Sequence, residues 1–289
     1  MNRKRPELPE VFTGLDAVSA GALTARELRG PRVKRIIGGV YCPAEVRVTV
    51  ERRCQAVALV APNAAVISGP SALTLYGAPA SRTEEPIHVV VPPHQRFARG
   101  PDVLVRRRLV LPHEATQWGD RRLATPARAT LDLLLGRPVL DSVPLLDLTL
   151  RTGLVKVDEL LTMLTGRSDR GIVLARQALA LADQRAESRP ESWTRVVLAL
   201  AGLNPTPQVE IFDERGFVAR VDLAFERERV AVEYEGAHHG DPSMLRPDRE
   251  RLDRLRQAGW QVVFVTASDR YRPQTELVGR VRGALLTRL

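Results

Sequence analysis

The 289-residue sequence lacks several features that mark particular protein classes. No stretch approaches the roughly 20 continuous apolar residues that a membrane helix needs, so we expect no membrane span. The basic residues at the start of the chain are followed by no apolar run, so we expect no secretory signal and a cytoplasmic location. Only two cysteines occur, Cys42 and Cys54. A disulfide framework is therefore excluded, and a reducing compartment is favoured.

Lysine is also scarce. Three lysines stand against 40 arginines, and no lysine follows Lys156. Catalysis by a lysine amino group is therefore excluded after that position. Arginine cannot act as the base instead, because the pKa of its guanidinium group lies above about 12.

Charge is unevenly distributed along the chain. The formal net charge is +9, and residues 1–130 carry all of it, with 20 Lys and Arg against 11 Asp and Glu. Residues 131–289 contain 23 of each. A basic first part joined to a neutral second part indicates a polyanionic partner, for which nucleic acid is the first candidate. The alternative is an arginine-rich chain whose first part is basic by chance.

The N-terminal segment predicts two short helices followed by a hairpin. Phe12–Ala20 has apolar residues at helical spacing, and Thr24–Glu27 has the pattern of a capping box that opens a second helix. Arg32–Ile37 and Val40–Tyr41 flank two glycines and predict two short strands joined by a tight turn. This order of elements predicts a winged helix-turn-helix domain over residues 1–80.

In such a domain several basic side chains would face DNA phosphates. These candidate DNA-binding residues are Arg26, Arg29, Arg32, Lys34 and Arg35. The alternative is a small helical cap with a solvated basic face.

The middle of the chain, residues 81–185, predicts an α+β region and a helical connector without evident chemistry of its own. Its β-branched runs, bounded by Pro and Gly, predict strands, and Thr125-Pro126 has the pattern of a helix N-cap. The predicted strands are Ile87–Val91 and Val103–Val105, and the predicted helices are Ala127–Leu135, Val139–Leu150, Val157–Leu164 and Ile172–Ala182.

Residues 186–289 predict an α/β sandwich with a mixed sheet, so the whole chain predicts an α/β multidomain protein. The predicted order of elements is a helix from Pro190 to Ala201, strands Gln208–Phe212, Phe217–Phe225 and Arg229–Glu235, a helix Arg249–Ala258, a strand Trp260–Thr266 and a helix Thr275–Leu289.

Carboxylates cluster in the third of these strands. Alternation puts Val230, Val232 and Tyr234 on one face and Ala231, Glu233 and Glu235 on the other. A short turn at Arg227-Glu228 would return the chain so that Asp222 lies beside Glu233. Converging carboxylates repel one another unless a cation neutralises them, and hard oxygen ligands suit Mg²⁺ or Mn²⁺. The alternative is that Glu-x-Glu simply forms a solvated strand face.

A longer motif contains these carboxylates. It comprises Asp222, then Glu233-Tyr234-Glu235-Gly236 with His238-His239, then Asp248 to Arg251, and finally Gly259-Trp260 before a strand. Over about residues 186–270 the chain resembles the restriction-endonuclease-like family related to the very-short-patch-repair endonuclease. The family's helix glutamate matches Glu191.

This resemblance implies a PD-(D/E)xK-type nuclease core that hydrolyses phosphodiester bonds of DNA with Mg²⁺. It implies that the metal is held by Glu191, Asp222 and Glu233. It further implies that Glu235 assists, that His239 handles protons and that Arg249 and Arg251 grip DNA phosphates.

Two positions depart from the family pattern. The family's second acidic residue is an aspartate, whereas Glu235 is one methylene longer. The catalytic lysine of the superfamily is absent, which leaves His239 or His238 as the local candidates for proton transfer. The alternative is a degenerate nuclease fold that binds DNA without cleaving it.

The N-terminal segment has a resemblance of its own. Leu15–Arg29, Gly39-Val40-Tyr41 and the segment from Ile67 to Gly77 look like the AbiEi-type antitoxins of abortive-infection toxin–antitoxin systems. This resemblance covers about residues 10–80 and implies a winged helix that binds its own promoter. DNA is then the expected partner, with a toxin or a second copy of the chain as further candidates.

Overall fold

The structure is a computed structural model and describes residues 6–98, 100–235 and 245–288. Over these residues it is a mixed α/β protein with three β-sheets and ten α-helices. The chain divides into two units: residues 1–135 with 152–172, and residues 136–151 with 173–289. The segments predicted as 1–80 and 81–185 therefore lie largely in one unit. Across the described ranges, no helix is long and apolar enough to cross a bilayer.

The first unit begins with a small antiparallel sheet. Strands β1 (Phe12–Thr13), β2 (Val33–Ile37) and β3 (Val40–Pro43) are ordered β1-β3-β2. The turn between β2 and β3 includes Gly39, whose φ of +80° is accessible to glycine at no steric cost. The predicted hairpin is therefore confirmed.

The helix predicted over Phe12–Ala20 is shorter than expected. Phe12 lies in β1, where it pairs with Tyr41 of β3, so α1 spans only Gly14–Ser19. Thr13 caps this helix, because its hydroxyl accepts a hydrogen bond from the Asp16 amide. Strand pairing thus removes the first residues of the predicted helix.

The second predicted helix, opened at Thr24, running through Leu28 and ending before Pro31, forms as a 3₁₀ turn and not as an α-helix. The capping-box hydrogen bonds do form, from the Thr24 amide to Glu27 Oε2 at 2.8 Å and from the Glu27 amide to Thr24 Oγ1 at 3.2 Å. They close only a 3₁₀ turn at Glu27–Arg29. The physical reason is Pro31, which ends the helical conformation within one turn of the cap.

The rest of the first unit is built on a five-stranded sheet. The predicted strands at 87–91 and 103–105 are confirmed, the second extended by two residues. The sheet has the order β6-β5-β4-β8-β7. The elements are α2 (Val50–Val60), β4 (Val66–Ile67), α3 (Gly69–Leu75), β5 (Ile87–Val91), β6 (Val103–Arg107), β7 (Ala115–Trp118) and β8 (Arg121–Ala124).

Four helices follow, close to the predicted spans: α4 (Pro126–Leu134), α5 (Val139–Arg151), α6 (Val157–Leu164) and α7 (Ile172–Ala180). The predicted N-cap of α4 is confirmed, since the Thr125 hydroxyl accepts from the backbone amide of the third helical residue. Helices α4 and α6 belong to the first unit, whereas α5 belongs to the second.

A buried ion network holds the first unit together. Arg128 of α4 is fully buried, and its Nε donates to Asp132 at 2.8 Å. The same guanidinium group donates to the buried carboxylate of Glu114 and to the carbonyl oxygen of Leu109. Asp132 also accepts from the Ser68 hydroxyl at 2.7 Å. One arginine therefore joins α4 to the connection between β6 and β7.

The second unit has a four-stranded mixed sheet of order β12-β11-β10-β9. Strands β11 and β12 are parallel and the other pairs antiparallel, which confirms the predicted mixed sheet. Its elements are α8 (Arg189–Leu200), β9 (Thr206–Asp213), β10 (Gly216–Phe225), β11 (Val230–Glu235), α9 (Leu245–Gln257), β12 (Gln261–Thr266) and α10 (Gln274–Leu286).

Helices cover both faces of this sheet. On one face, Trp193 of α8 and Val281 of α10 pack in a core that includes Val232 of β11. On the other, Leu255 of α9 packs in a core that includes Ala231. The predicted alternation along β11 is thus confirmed, and it places Glu233 on the α9 side.

The Arg128 network predicts a large cost for losing its cation. Arg128→Leu leaves Glu114 and Asp132 as buried carboxylates with reduced compensation, so the free energy of unfolding should fall by about 3–5 kcal/mol. Urea denaturation measures this loss. Arg82→Leu, at an exposed position of the same unit, is the control and should change stability by less than about 0.5 kcal/mol. A similar small change for Arg128→Leu would contradict the network's structural role.

Candidate functional site

The predicted carboxylates Asp222 and Glu233 lie on neighbouring strands. Leu223 of β10 pairs with Val232 of β11, so the next positions along the two strands are Asp222 and Glu233. The carboxylate of Asp222 accepts a hydrogen bond of 2.8 Å from the Tyr234 amide. This bond ties the Asp222 side chain to the neighbouring strand and confirms the adjacency predicted from the sequence.

Glu191 enters the same region from the first turn of α8. The Ser188 hydroxyl caps this helix by accepting from the Glu191 amide. The buried carboxylate of Glu191 accepts from the Glu187 amide at 2.9 Å and from Gln208 Nε2 at 2.7 Å. The helix start and the start of β9 therefore position this side chain together.

The three carboxylates interact electrostatically. Burial raises the pKa of Asp222 to about 7, against the hydrogen bond from Tyr234, which lowers it. The charges of Glu191 and Glu233 raise the pKa of Asp222 further, and the charge of Arg251 lowers it. The structure thus brings the predicted carboxylates within mutual electrostatic reach. A carboxyl group whose pKa is raised by burial and by neighbouring carboxylates is a candidate functional residue.

Glu233 already faces a cation from the protein itself. Arg251 of α9 donates from one terminal nitrogen to Glu233 Oε1 at 2.9 Å and from the other to Oε2 at 2.6 Å. The pair is bidentate, the strongest geometry available to a guanidinium and a carboxylate. The sequence predicted Arg251 only as a phosphate contact, and its contact with Glu233 was not foreseen.

The other residues predicted for this site that the structure describes lie at exposed positions. Glu235 is the last residue of β11 and is exposed. His239, with its neighbour His238, lies outside the described residues. Arg249 is exposed on α9. The described cluster therefore consists of Glu191, Asp222, Glu233 and Arg251.

The number and type of donor side chains in the cluster determine whether it can hold a metal ion. Counting only residues that the structure describes, no three or more His, Cys, Asp and Glu side chains form a group that could hold a metal. Mg²⁺, however, usually binds through one or two carboxylates and completes its shell with water and substrate phosphate. Asp222 and Glu233 are two hard oxygen donors on adjacent strands. Their chemistry fits such an ion once Arg251 no longer occupies both oxygens of Glu233.

One contact to the cluster, from Gln208 to Glu191, was not predicted from the sequence. Gln208 has a φ of +56°, an uncommon conformation for a residue other than glycine. Its side chain reaches Glu191. Asn204-Pro205 and Pro207 precede it and are turn signals, but no sequence pattern predicts that its side chain reaches Glu191, so only the fold reveals the contact.

A groove of about 810 Å³ lies elsewhere in the second unit. Residues from β9, from the β10–β11 turn and from the end of α9 line it, including Phe212, Arg229 and Trp260. None of its lining residues is one of the clustered carboxylates. The chemistry of the site therefore rests on the carboxylate cluster and not on this groove.

The basic residues predicted to bind DNA lie on the small N-terminal sheet and its flanking turns. Those with exposed side chains are Arg26, Arg29, Arg32 and Arg35. Lys34 is half-buried, and its ammonium group donates to the Ala44 carbonyl at 2.8 Å. Arg32 forms an ion pair of 3.2 Å with Glu27. Exposed surface ion pairs are weak, so this one does not prevent a phosphate contact.

The raised pKa of Asp222 predicts a specific pH dependence. The ordinary pKa of this carboxyl is 3.8 and the folded value about 7, so the folded state binds more protons between these values. The free energy of unfolding should therefore fall as pH rises through this window. Asp222→Asn removes the titrating group and keeps an oxygen that can accept from Tyr234. Its stability relative to wild type should rise between pH 4.5 and 8, as measured by urea denaturation.

The control for this experiment is Asp253→Asn, at an exposed position of α9. The difference between this variant and wild type should not depend on pH over the same window. If Asp222→Asn followed the wild-type profile in parallel, Asp222 would not be the carboxyl with the raised pKa.

Comparison with known proteins gives similarities of limited extent. No protein-family model matches the chain. Over 119 residues it is 40% identical to the uncharacterized proteins MT2308 (strain CDC 1551 / Oshkosh) and Rv2248 (strain ATCC 25618 / H37Rv) of Mycobacterium tuberculosis. The match covers 40% of this chain and 43% of each relative, so it spans less than half of their length.

A solved structure, the RV2827C protein from Mycobacterium tuberculosis, is 16% identical, with a TM-score of 0.37 over 71% of this chain and 84% of that chain. The family resemblances stated from the sequence stay predictions.

Proposed function

We propose that this protein binds DNA and hydrolyses its phosphodiester bonds with Mg²⁺ or Mn²⁺. The observation that carries this proposal is the pairing of Asp222 with Glu233 on neighbouring strands. Burial raises the pKa of Asp222, and the charges of Glu191, from the helix start, and of Glu233 raise it further. Burying like charges side by side is unfavourable in itself. Such an arrangement is common where a cation and a phosphate complete the site.

The order of elements in the second unit supports a restriction-endonuclease-like core. A helix carries Glu191, an antiparallel strand pair follows with Asp222, the next strand carries Glu233, and a helix then leads to a parallel strand. This is the order in which the family resemblance predicts its acidic residues.

Each residue has a defined task in the proposed reaction. Asp222 and Glu233 hold the metal, and Glu191 supplies further negative charge from the helix start. When bound, the divalent cation polarises the phosphodiester and lowers the pKa of an attacking water. His239 is proposed to move the proton, because no lysine follows Lys156. Arg249 and Arg251 contact phosphates, with Glu235 assisting at the edge of the site.

We propose that the N-terminal sheet and its flanking turns supply DNA affinity as a variant of the winged helix, with a 3₁₀ turn at Glu27–Arg29 in place of the second helix. In support, the β2–β3 hairpin stands where a wing is expected, and four of the five basic residues there have exposed side chains. The excess positive charge of the whole chain lies within residues 1–130. Contacts from such residues to phosphates bind DNA with little regard to sequence.

A second candidate function is an antitoxin-type transcriptional regulator with a non-cleaving nuclease fold. The observation that favours it is the bidentate contact of Arg251 with Glu233, which neutralises that carboxylate without a metal. The absence of lysine after Lys156 points the same way. Its partners would be promoter DNA and either a toxin or a second copy of the chain.

The nuclease proposal predicts nicking of supercoiled plasmid in Mg²⁺ or Mn²⁺ and none in EDTA. Asp222→Asn should slow nicking at least about 100-fold, because even the outer partners of metal ligands contribute about 10–100-fold. Gel electrophoresis of the plasmid measures the rate. Asp253→Asn is the matched control and should nick at the wild-type rate. Tight DNA binding without nicking by the folded wild-type protein would favour the regulator instead.

The winged-helix proposal predicts the salt dependence of DNA binding. Arg29→Gln or Arg35→Gln should weaken binding to duplexes of any sequence. Each should also reduce the slope of log affinity against log salt by about 0.9, because one phosphate contact is lost. Fluorescence anisotropy over a range of salt concentrations measures both. The exposed Arg82, changed to Gln, serves as the control with an unchanged slope, and unchanged slopes for both test variants would contradict the assignment.

A further inference from the structure

The contact between Arg251 and Glu233 joins α9 to β11 at the proposed metal site. Both terminal nitrogens of Arg251 donate to the two oxygens of Glu233, at 2.9 and 2.6 Å. The Glu233 side chain is 9% exposed and the Arg251 side chain 33% exposed. The carboxylate is therefore enclosed, while the guanidinium reaches it from the more open side.

The geometry of this ion pair bears directly on metal binding. A bidentate guanidinium takes one lone-pair direction on each carboxylate oxygen, which leaves fewer directions open to a metal ion. Two cations brought to one carboxylate would also repel each other. Arg251 and a divalent metal therefore compete for Glu233.

Moving the Arg251 guanidinium away from Glu233 has a free-energy cost, which depends on what replaces it. Glu233 left alone would be a buried, uncompensated charge beside Asp222, which is strongly unfavourable. A divalent cation offsets this cost, since it neutralises Asp222 and Glu233 together. Arg251, one-third exposed, can move toward solvent with its charge intact, because arginine is always protonated.

We infer that Arg251 is a displaceable internal counter-cation that holds Glu233 in the metal-free protein and sets the divalent-metal concentration at which the site fills. This inference rests on the proposed metal-dependent function and concerns the regulation of its site. Arg251 acts against metal binding in the free protein, and it leaves Glu233 when the metal enters.

The test measures Mn²⁺ affinity of the full-length protein by isothermal titration calorimetry in the absence of DNA. Arg251→Gln should bind Mn²⁺ about tenfold more tightly than wild type, equivalent to about 1.4 kcal/mol. Arg256→Gln is the matched control, because Arg256 lies on the same helix in an exposed i,i+3 pair with Asp253. The control should bind Mn²⁺ as wild type does. Equal or weaker binding by folded Arg251→Gln overturns the inference.

A second set of variants keeps the test valid if Arg251→Gln folds poorly without metal. Arg251→Lys retains a positive charge but not the bidentate geometry, so its Mn²⁺ affinity should lie between those of wild type and Arg251→Gln. Combining Arg251→Gln with Glu233→Gln should abolish the gain, because the two side chains act through one contact. A tenfold gain that persists in the double variant would also overturn the inference.

Failure of this inference differs from failure of the proposed function. If wild type nicks plasmid while Arg251→Gln gains no Mn²⁺ affinity, the nuclease stands and the counter-cation role falls. If Arg251→Gln gains affinity while no variant nicks DNA, Arg251 competes with metal as inferred and the protein is not a nuclease.

Discussion

Two carboxylates on neighbouring strands, the buried Glu233 and the half-buried Asp222, are the constraint on which the second unit depends. Asp222 and Glu233 lie side by side because β10 and β11 are antiparallel neighbours joined by a short turn. A low-dielectric site cannot hold two adjacent negative charges without compensation. One consequence is the raised pKa of Asp222, which burial raises most and the charges of Glu191 and Glu233 raise further. The other is an internal cation, Arg251, which requires α9 to pack across that face of the sheet.

The first unit also neutralises buried carboxylates with an arginine side chain. Arg128, fully buried, lies between Glu114 and Asp132. A guanidinium suits this role better than an ammonium group, since its planar fork satisfies two carboxylates and a carbonyl at once. The arginine-rich composition therefore has a structural consequence beyond surface charge. The difference between the units is exposure: Arg128 is sealed in a core, whereas Arg251 borders solvent and can be displaced.

Local signals predicted most of the secondary structure and part of the site. Hydrophobic periodicity and caps gave the helices of the chain's second half within a few residues, because those helices carry both signals. The turn at Arg227-Glu228 predicted that Asp222 and Glu233 are neighbours, since a hairpin sets its own register. The short strands β4, β7 and β8 went unpredicted, because two to four residues carry too little alternation to be distinguished from loop. The capping box at Thr24 predicted a short helix that ends before Pro31, and the structure has a 3₁₀ turn at Glu27–Arg29 there.

The amino-acid sequence alone established the distribution of charge, the absence of lysine after Lys156 and the pairing of Asp222 with Glu233, because each depends on composition or on contacts between near neighbours in the chain. The tertiary structure alone established that Arg251 neutralises Glu233 and that Gln208 reaches Glu191. These contacts join residues 17 and 18 positions apart on different elements. Only the packing of helices on the sheet brings such residues together, and no local pattern encodes that distance.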